Sequence, residues 1–321
     1  MAKIFDITPK ARDVKPVLML LTSHRIDCFL LCVKCLELYT DLDRFKAVYV
    51  LANEVGDEHA VIIKAFQKRH KNVIDVHCAP RGMSPSVMAM QNYILRRHSD
   101  DVIVRLDEDV FVTPRWLEHM LAAYKIHRGR DEIAAVTCVS PISRLGRQCL
   151  DRLFRSDHGE ERKRLPDLPV EKNAVYHRFV WDKILQDELM ERYFSMDRPK
   201  HHYSPKIESH CMMFDARIMQ HALPLPVNSR ENRPDEATFN NAMRANGLKG
   251  VAVTGAAVHH YAYRDAEEYL RRHVSLDDIW WYMTCLDETP AYGENLRFAS
   301  PVGKGSRLNT LLKDKEVRIL Y

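Results

Sequence analysis

The stretch that decides the fold is DDVIVRLDEDVFV, Asp100–Val112. It reads as one strand whose apolar run breaks at Asp107, so that Asp107 and Asp109 stand where a buried strand reaches its end. Four similar short runs flank it: VLMLL at Val17–Leu21, FKAVYVLANE at Phe45–Glu54, NVIDVHCA at Asn72–Ala79 and EIAAVTCVS at Glu132–Ser140. Helical periods separate them. IDCFLLCVKCLELY places apolar residues at 26, 29, 30, 33 and 36, and DEHAVIIKAFQKRH follows the second strand. Ser84-Pro85 and Thr113-Pro114 each pair a capping residue with a proline at the first helical position. The first opens a helix running to about Arg97, the second the helix WLEHMLAAYK. Strands alternating with helices predict an α/β domain: a mostly parallel sheet with helices on both faces. Ligands of such sheets bind beyond the carboxyl ends of the strands. The residues to watch are therefore Thr22, His24, Arg25, Asn53, Arg81, Asp107 and Asp109.

Residues 144–206 break this rhythm. They are dense in Arg, Lys, Asp and Glu, with a helix predicted within HRFVWDKILQDELMERYF and no strand signal. They read as a polar insertion, not as a second folded domain. Strand and helix material returns in ESHCMMFDA, in RPDEATFNNAMRANG, which ends on the C-cap pair Asn246-Gly247, and in LKGVAVTGAAVHHY. One amphipathic helix is expected over about 265–286, followed by a basic tail. The expected boundaries are an α/β unit over 1–261 and a helical C-terminal extension over 262–321. The first unit divides into a half at 16–140, the insertion at 144–206 and a second half at 208–261.

Composition narrows the class. Lys and Arg number 48 against 44 Asp and Glu, a net charge of +4, far from the basic stripe that nucleic acid requires. No run reaches the ~18–20 apolar residues of a membrane span, and the first residues lack the apolar core of a signal peptide. A cytoplasmic protein with reduced cysteines is expected, with the inner face of a membrane as a further location. Cys28, Cys32 and Cys35 recur at helical spacing among apolar residues, which marks them as buried core thiols. The apolar row Trp280–Met283 either packs on the core or offers a contact to a second copy or a membrane surface.

Three patterns carry chemistry. Asp107 and Asp109 share a strand face and are hard oxygen ligands suited to Mg2+ or Mn2+; the plain alternative is a solvated acidic turn. Asp235 and Glu236 lie at a helix N-terminus, where acids are favoured in any protein, yet either could act as a general base. His259 and His260 end a strand, where an imidazole could complete a metal site or be a hydrogen-bonded core residue. The His201-His202 and His259-His260 pairs lack the cysteine pattern of a zinc site.

Taken together, a strand ending in T-x-x-R, a D-x-D motif, an acidic pair before a helix and a histidine after a later strand resemble the family-two glycosyltransferases of GT-A fold. The likeness spans roughly 16–140 and 208–261, and it implies that these are the nucleotide-binding half and the acceptor half of a catalytic domain over 1–261. The resemblance implies a GT-A-like, nucleotide-diphospho-sugar transferase fold and transfer of a sugar to an acceptor hydroxyl. It implies an inverting reaction with a carboxylate base at Glu236 or Asp235, and Mn2+ or Mg2+ held by Asp109 and His260 or His259. Asp107 would hold the ribose or the ion, and Thr22, Arg25, Asn53 and Arg81 would bind the nucleotide sugar. The donor would be of UDP type and the acceptor a glycan, a lipid-linked molecule or a protein. The chain departs from the pattern in three ways. The acidic pair is reversed, Asn53 replaces the usual Asp, and no Q-x-x-R-W follows the acidic pair. Two alternatives remain: a nucleotidyltransferase-like enzyme, which would carry a glycine-rich loop that TSHRIDC lacks, and an inactive glycan-binding or scaffold protein of the same fold.

Overall fold

The computed structural model describes residues 14–77, 87–186, 189–190, 201–227, 234–261 and 266–285. Its strands are β1 (Val17–Thr22), β2 (Ala47–Ala52), β3 (Val73–His77), β4 (Ile103–Asp107), β5 (Val110–Val112), β6 (Ile133–Val139), β7 (His201–Ser204), β8 (Cys211–Phe214) and β9 (Lys249–His260). They form one sheet in the order β3-β2-β1-β4-β8-β6-β9-β5, with β7 also on β9. The half from β3 to β4 is parallel, as the alternation of strands and helices predicts. The other half is mixed. β8 runs antiparallel to both β4 and β6, whereas β6 and β9 are parallel.

The first strands are buried on both faces, which is why they read as unbroken apolar runs. Leu18, Leu20, Val48 and Val50 face one apolar cluster, and Val17, Met19, Tyr49 and Leu51 face the other. Helices α1 (Ile26–Tyr39), α2 (Asp57–Arg69) and α4 (Trp116–His127) supply the first cluster. Helices α3 (Val87–Arg97), α8 (Ala216–Ala222) and α9 (Pro234–Ala245) supply the second. Cys28, Cys32 and Cys35 are buried free thiols of α1, as their spacing predicts. Gly247 closes α9 at φ 66°, a left-handed conformation that glycine adopts without strain.

Four local readings need correction. The strand expected across Asp100–Val112 is two strands. The chain turns at Glu108, and β5 leaves β4 to pair antiparallel with β9, Val110 opposite His260 and Phe111 opposite His259. Thr113 does not cap α4 with its side chain. Its hydroxyl donates to the Ala257 carbonyl at 2.7 Å, and the left-handed Arg115 (φ 64°) occupies the N-cap. The C-terminal helix is broken into α10 (Ala266–His273) and α11 (Leu276–Cys285). Ser275 Oγ accepts from the Asp278 amide at 3.0 Å, and Asp278 accepts in return from the Ser275 amide at 3.3 Å. This is a capping box that starts a new helix.

The fourth correction concerns residues 144–206. Here α5 (Arg144–Asp157), α6 (Gly159–Lys163) and α7 (Ala174–Trp181) are folded onto the main core. Leu150, Leu153, Phe154, Tyr176 and Trp181 are all at most 2% exposed. The charge density conceals an amphipathic helix: Cys149, Leu150, Leu153 and Phe154 share one face of α5, and the charged residues cover the rest. The segment also contributes a strand, since β7 pairs antiparallel with β9. Among the described residues no helix is long and apolar enough to cross a membrane. Ile279 is buried and Trp280 packs on the core; the side chains of 281–285 lie outside the described residues.

Candidate functional site

The middle residue of the acidic triplet has a structural task. Glu108 is 4% exposed and accepts from the Thr22 hydroxyl at 2.6 Å, the Ser23 amide at 2.9 Å and the Ser23 hydroxyl at 3.2 Å. Burial pushes its carboxyl up, but hydrogen bonds from His59, Thr22 and Ser23 outweigh burial and hold it below the usual range. Glu108 thus pins the end of β1 to the turn after β4, and that turn sets Asp107 and Asp109 apart. Thr22 sits at the sheet edge as expected, with its hydroxyl committed to this lock.

On β4, Ile103, Arg105 and Asp107 share the face covered by α9. Arg105 is a buried cation that the sequence reading missed. Its Nη2 lies 3.1 Å from Asp107 and 2.7 Å from Asp235, and its Nη1 donates to the Ser209 carbonyl. A buried guanidinium persists only with carboxylate and carbonyl partners, so Arg105 draws the N-terminus of α9 onto the end of β4. The signal for it was present: one charged residue inside an otherwise apolar strand. Burial opposes ionisation of Asp235, yet Arg105, the Glu236 amide and Gln91 hold its carboxyl below the usual range. Asp107 goes the other way. Burial, with Asp109 and Asp235 adding to it, outweighs Arg105 and His260 and pushes its carboxyl up to about 7.

Asp109 meets the histidine pair through the β5–β9 ladder. The Tyr261 amide donates to the Asp109 carbonyl at 2.8 Å, and His260 Nε2 lies 3.6 Å from Asp109 Oδ1. The His260 ring stacks on His210 with centroids 4.4 Å apart; His210 immediately precedes β8, and its carbonyl accepts from the Asp107 amide at 3.0 Å. Successive strand residues face opposite ways, so His259 points away from Asp109. Its Nε2 lies 2.9 Å from His177 Nδ1, and its ring stacks on Trp181 and Phe111. Burial, with His177 and His260 adding, lowers its pKa far below the usual value. His259 thus lies in the core, on the face of β9 opposite the one His260 presents to Asp109.

Asp235 and Glu236 separate in the same way. Asp235 is 2% exposed and bound to Arg105. Glu236 is half-buried and accepts from the Ser209 amide at 3.2 Å and hydroxyl at 3.1 Å. It lines a cavity of about 380 Å3 together with Arg144, Gln148, Lys206 and Asn240. At the other end of the edge, Arg25 donates to Glu267 of α10 at 3.1 and 3.3 Å. Asn53 is half-buried at the end of β2, its amide donating to the Thr22 carbonyl at 2.8 Å. Arg81 lies outside the described residues. Among the described residues, no group of three or more His, Cys, Asp or Glu side chains is drawn close enough to hold a metal ion. Asp109 and His260 form a pair, while Asp107 leans on Arg105.

No protein-family profile matches the sequence, and no curated protein matches it. Among solved structures, the chain is similar to a mannosyltransferase, PcManGT from Pyrobaculum calidifontis, in complex with GDP-Man and Mn2+. The TM-score is 0.49 and the identity 13%, over 86% of this chain and 67% of that one. It is also similar to GalNAc-T7 with UDP, GalNAc and Mn2+, at TM-score 0.48 and 10% identity. That match covers 84% of this chain and 48% of the other, so the chain spans about half its length.

Proposed function

We propose that the chain is a GT-A-type glycosyltransferase that moves a sugar from a nucleotide-diphosphate sugar to an acceptor hydroxyl. The observation that carries this reading is the convergence around Arg105. It ties the carboxylate at the end of β4 to the acidic pair of α9, and leaves Glu236 beside a cavity while Asp109 meets His260. Residues spread from 105 to 260 thereby form one carboxylate-rich edge.

The donor set suits a divalent cation. Asp109 and Asp107 are hard oxygen ligands, His260 is a borderline nitrogen, and Asp107 is a carboxylate whose ionisation its surroundings oppose. Asp109 and His260 would hold Mn2+ or Mg2+, with Asp107 shared between the cation and Arg105. Held there, such a cation would supply Lewis-acid compensation for the charge of the departing diphosphate. Asn53 and Arg25, at the ends of β2 and β1, would take the nucleotide, a UDP-type donor in particular. Glu236 accepts the proton of the attacking hydroxyl, and Ser209 orients its carboxylate. A single base opposite the leaving group corresponds to inversion. Asp235 is a poor base because Arg105 holds its carboxyl ionised; its part is to seat α9.

Thermal stabilisation across nucleotide diphosphates and nucleotide sugars, with and without Mn2+, tests the reading. A binder at 100 times its Kd stabilises by about 2.7 kcal/mol. Asp109→Ala should remove the Mn2+-dependent part. No stabilisation by any nucleotide in the presence of Mn2+ overturns the proposal.

A further inference from the structure

The folded segment after β6 holds a second cavity, of about 670 Å3, between α5, α6 and α7. That volume lies within the ~300–1,000 Å3 of small-molecule sites. Its charged lining is Arg147, Asp151, Arg155, Arg162, Lys163 and Asp167: four cations against two carboxylates. Asp151 is already engaged. It accepts from Arg162 Nε at 3.0 Å and Nη2 at 3.2 Å, and from the Tyr176 hydroxyl at 3.4 Å. Lys163 reaches Glu160 in an exposed pair at 2.7 Å, an arrangement worth little. Arg147 and Arg155 have no ion-pair partner among the described residues. The cavity therefore presents uncompensated positive charge above the buried Tyr176.

The two cavities are aligned by one helix. Residues 144 and 148 of α5 line the cavity that holds Glu236, and residues 151 and 155 line the second. Spacings of 4, 7 and 11 keep all four on one helix face, and eleven residues cover about 16 Å. A saccharide lying along that face would place one end beside Glu236 and a more distant unit beside Arg147 and Arg155. We infer that the second cavity binds an anionic unit of the acceptor, a sugar bearing sulfate, phosphate or carboxylate. This rests on the glycosyltransferase reading for the word acceptor, and on the cavity alone for the anion.

The test uses the full chain with a heparin-derived sulfated hexasaccharide, an oligogalacturonate of equal length, neutral maltohexaose and inorganic phosphate as probes, by titration calorimetry. The double variant Arg147→Ser/Arg155→Ser changes two side chains that bear no structural ion pair, and its melting temperature is measured beside wild type. The expected result is binding of at least one anionic oligosaccharide, weakened tenfold or more in the variant at unchanged melting temperature, with no binding of maltohexaose. Equal binding by the variant, or no anionic oligosaccharide binding to wild type, overturns the inference. Inorganic phosphate binding as tightly as the oligosaccharides would assign the site to a free anion and overturn the saccharide. Binding of nucleotide diphosphates and nucleotide sugars with Mn2+ is measured on the same samples. If none of them binds while Arg-dependent saccharide binding persists, the glycosyltransferase reading falls and the anion site stands.

Discussion

Replacing Arg105 by Met tests the organisation of the site most directly. The side chain is 6% exposed and stands between the side chains of Asp235, 3% exposed, and Asp107, 24% exposed. Met keeps the hydrophobic stem and deletes the charge, leaving two carboxylates facing each other with no cation between them. Removing one member of a buried pair costs about 3–5 kcal/mol, and the Ser209 carbonyl loses its donor as well. The cost depends on pH. In wild type, Asp235 is depressed by Arg105, so its contribution is present above the unfolded carboxylate value of ~4 and is lost as pH falls through the folded value. In the variant both carboxyls sit above ~4. The folded state then holds more protons than the unfolded chain across that window, and stability rises as pH falls, by up to about 1.4 kcal/mol per pH unit for each extra proton. The penalty measured by urea unfolding should therefore be smaller at pH 5 than at pH 8. Asp235→Asn in the Arg105→Met background should cost less than in wild type, with a coupling of about 1–3 kcal/mol. A penalty below ~1 kcal/mol, or one that grows on acidification, would refute the assignment of Arg105 as the cation that seats α9.

Four further outcomes follow from the geometry. Glu236→Gln should keep nucleotide binding and lower transfer by about 10²–10⁴-fold, measured by product formation at saturating donor. His260→Gln should abolish Mn2+-dependent nucleotide binding, whereas His259→Gln should retain it and lower the melting temperature, because only His260 lies beside Asp109. Glu108→Ala removes the acceptor shared by Thr22 and Ser23 and should cost about 2–3 kcal/mol by chemical unfolding, with weaker Mn2+ binding by calorimetry as the turn loosens. Gly146→Ala places a methyl group against the Ser140 backbone, and neither can move without shifting the start of α5. A loss of about 1–3 kcal/mol is expected, read as a lower urea midpoint.

The linear sequence determined the parallel half of the sheet, because apolar runs of strand length and helices with a 3.6-residue period are local patterns. It also determined that carboxylates would stand at the end of β4 and a histidine at the end of β9, since strand ends are marked by where the apolar run stops. It placed α9 and its closing glycine from cap chemistry alone. The sequence left Asp235 against Glu236 and His259 against His260 open, because adjacent residues differ only in the direction they point. Tertiary structure separates the members of each pair. The pairing of β5 with β9 turns His260 toward Asp109 and His259 toward His177, and the ion pair with Arg105 consumes Asp235 and leaves Glu236 beside the cavity. The same holds for residues 144–206, where composition pointed to a polar insertion with no strand. Four apolar residues on one face of α5 suffice to seat that helix on the core. Burial is set by which face meets a partner, and a count of charged residues carries no information about faces.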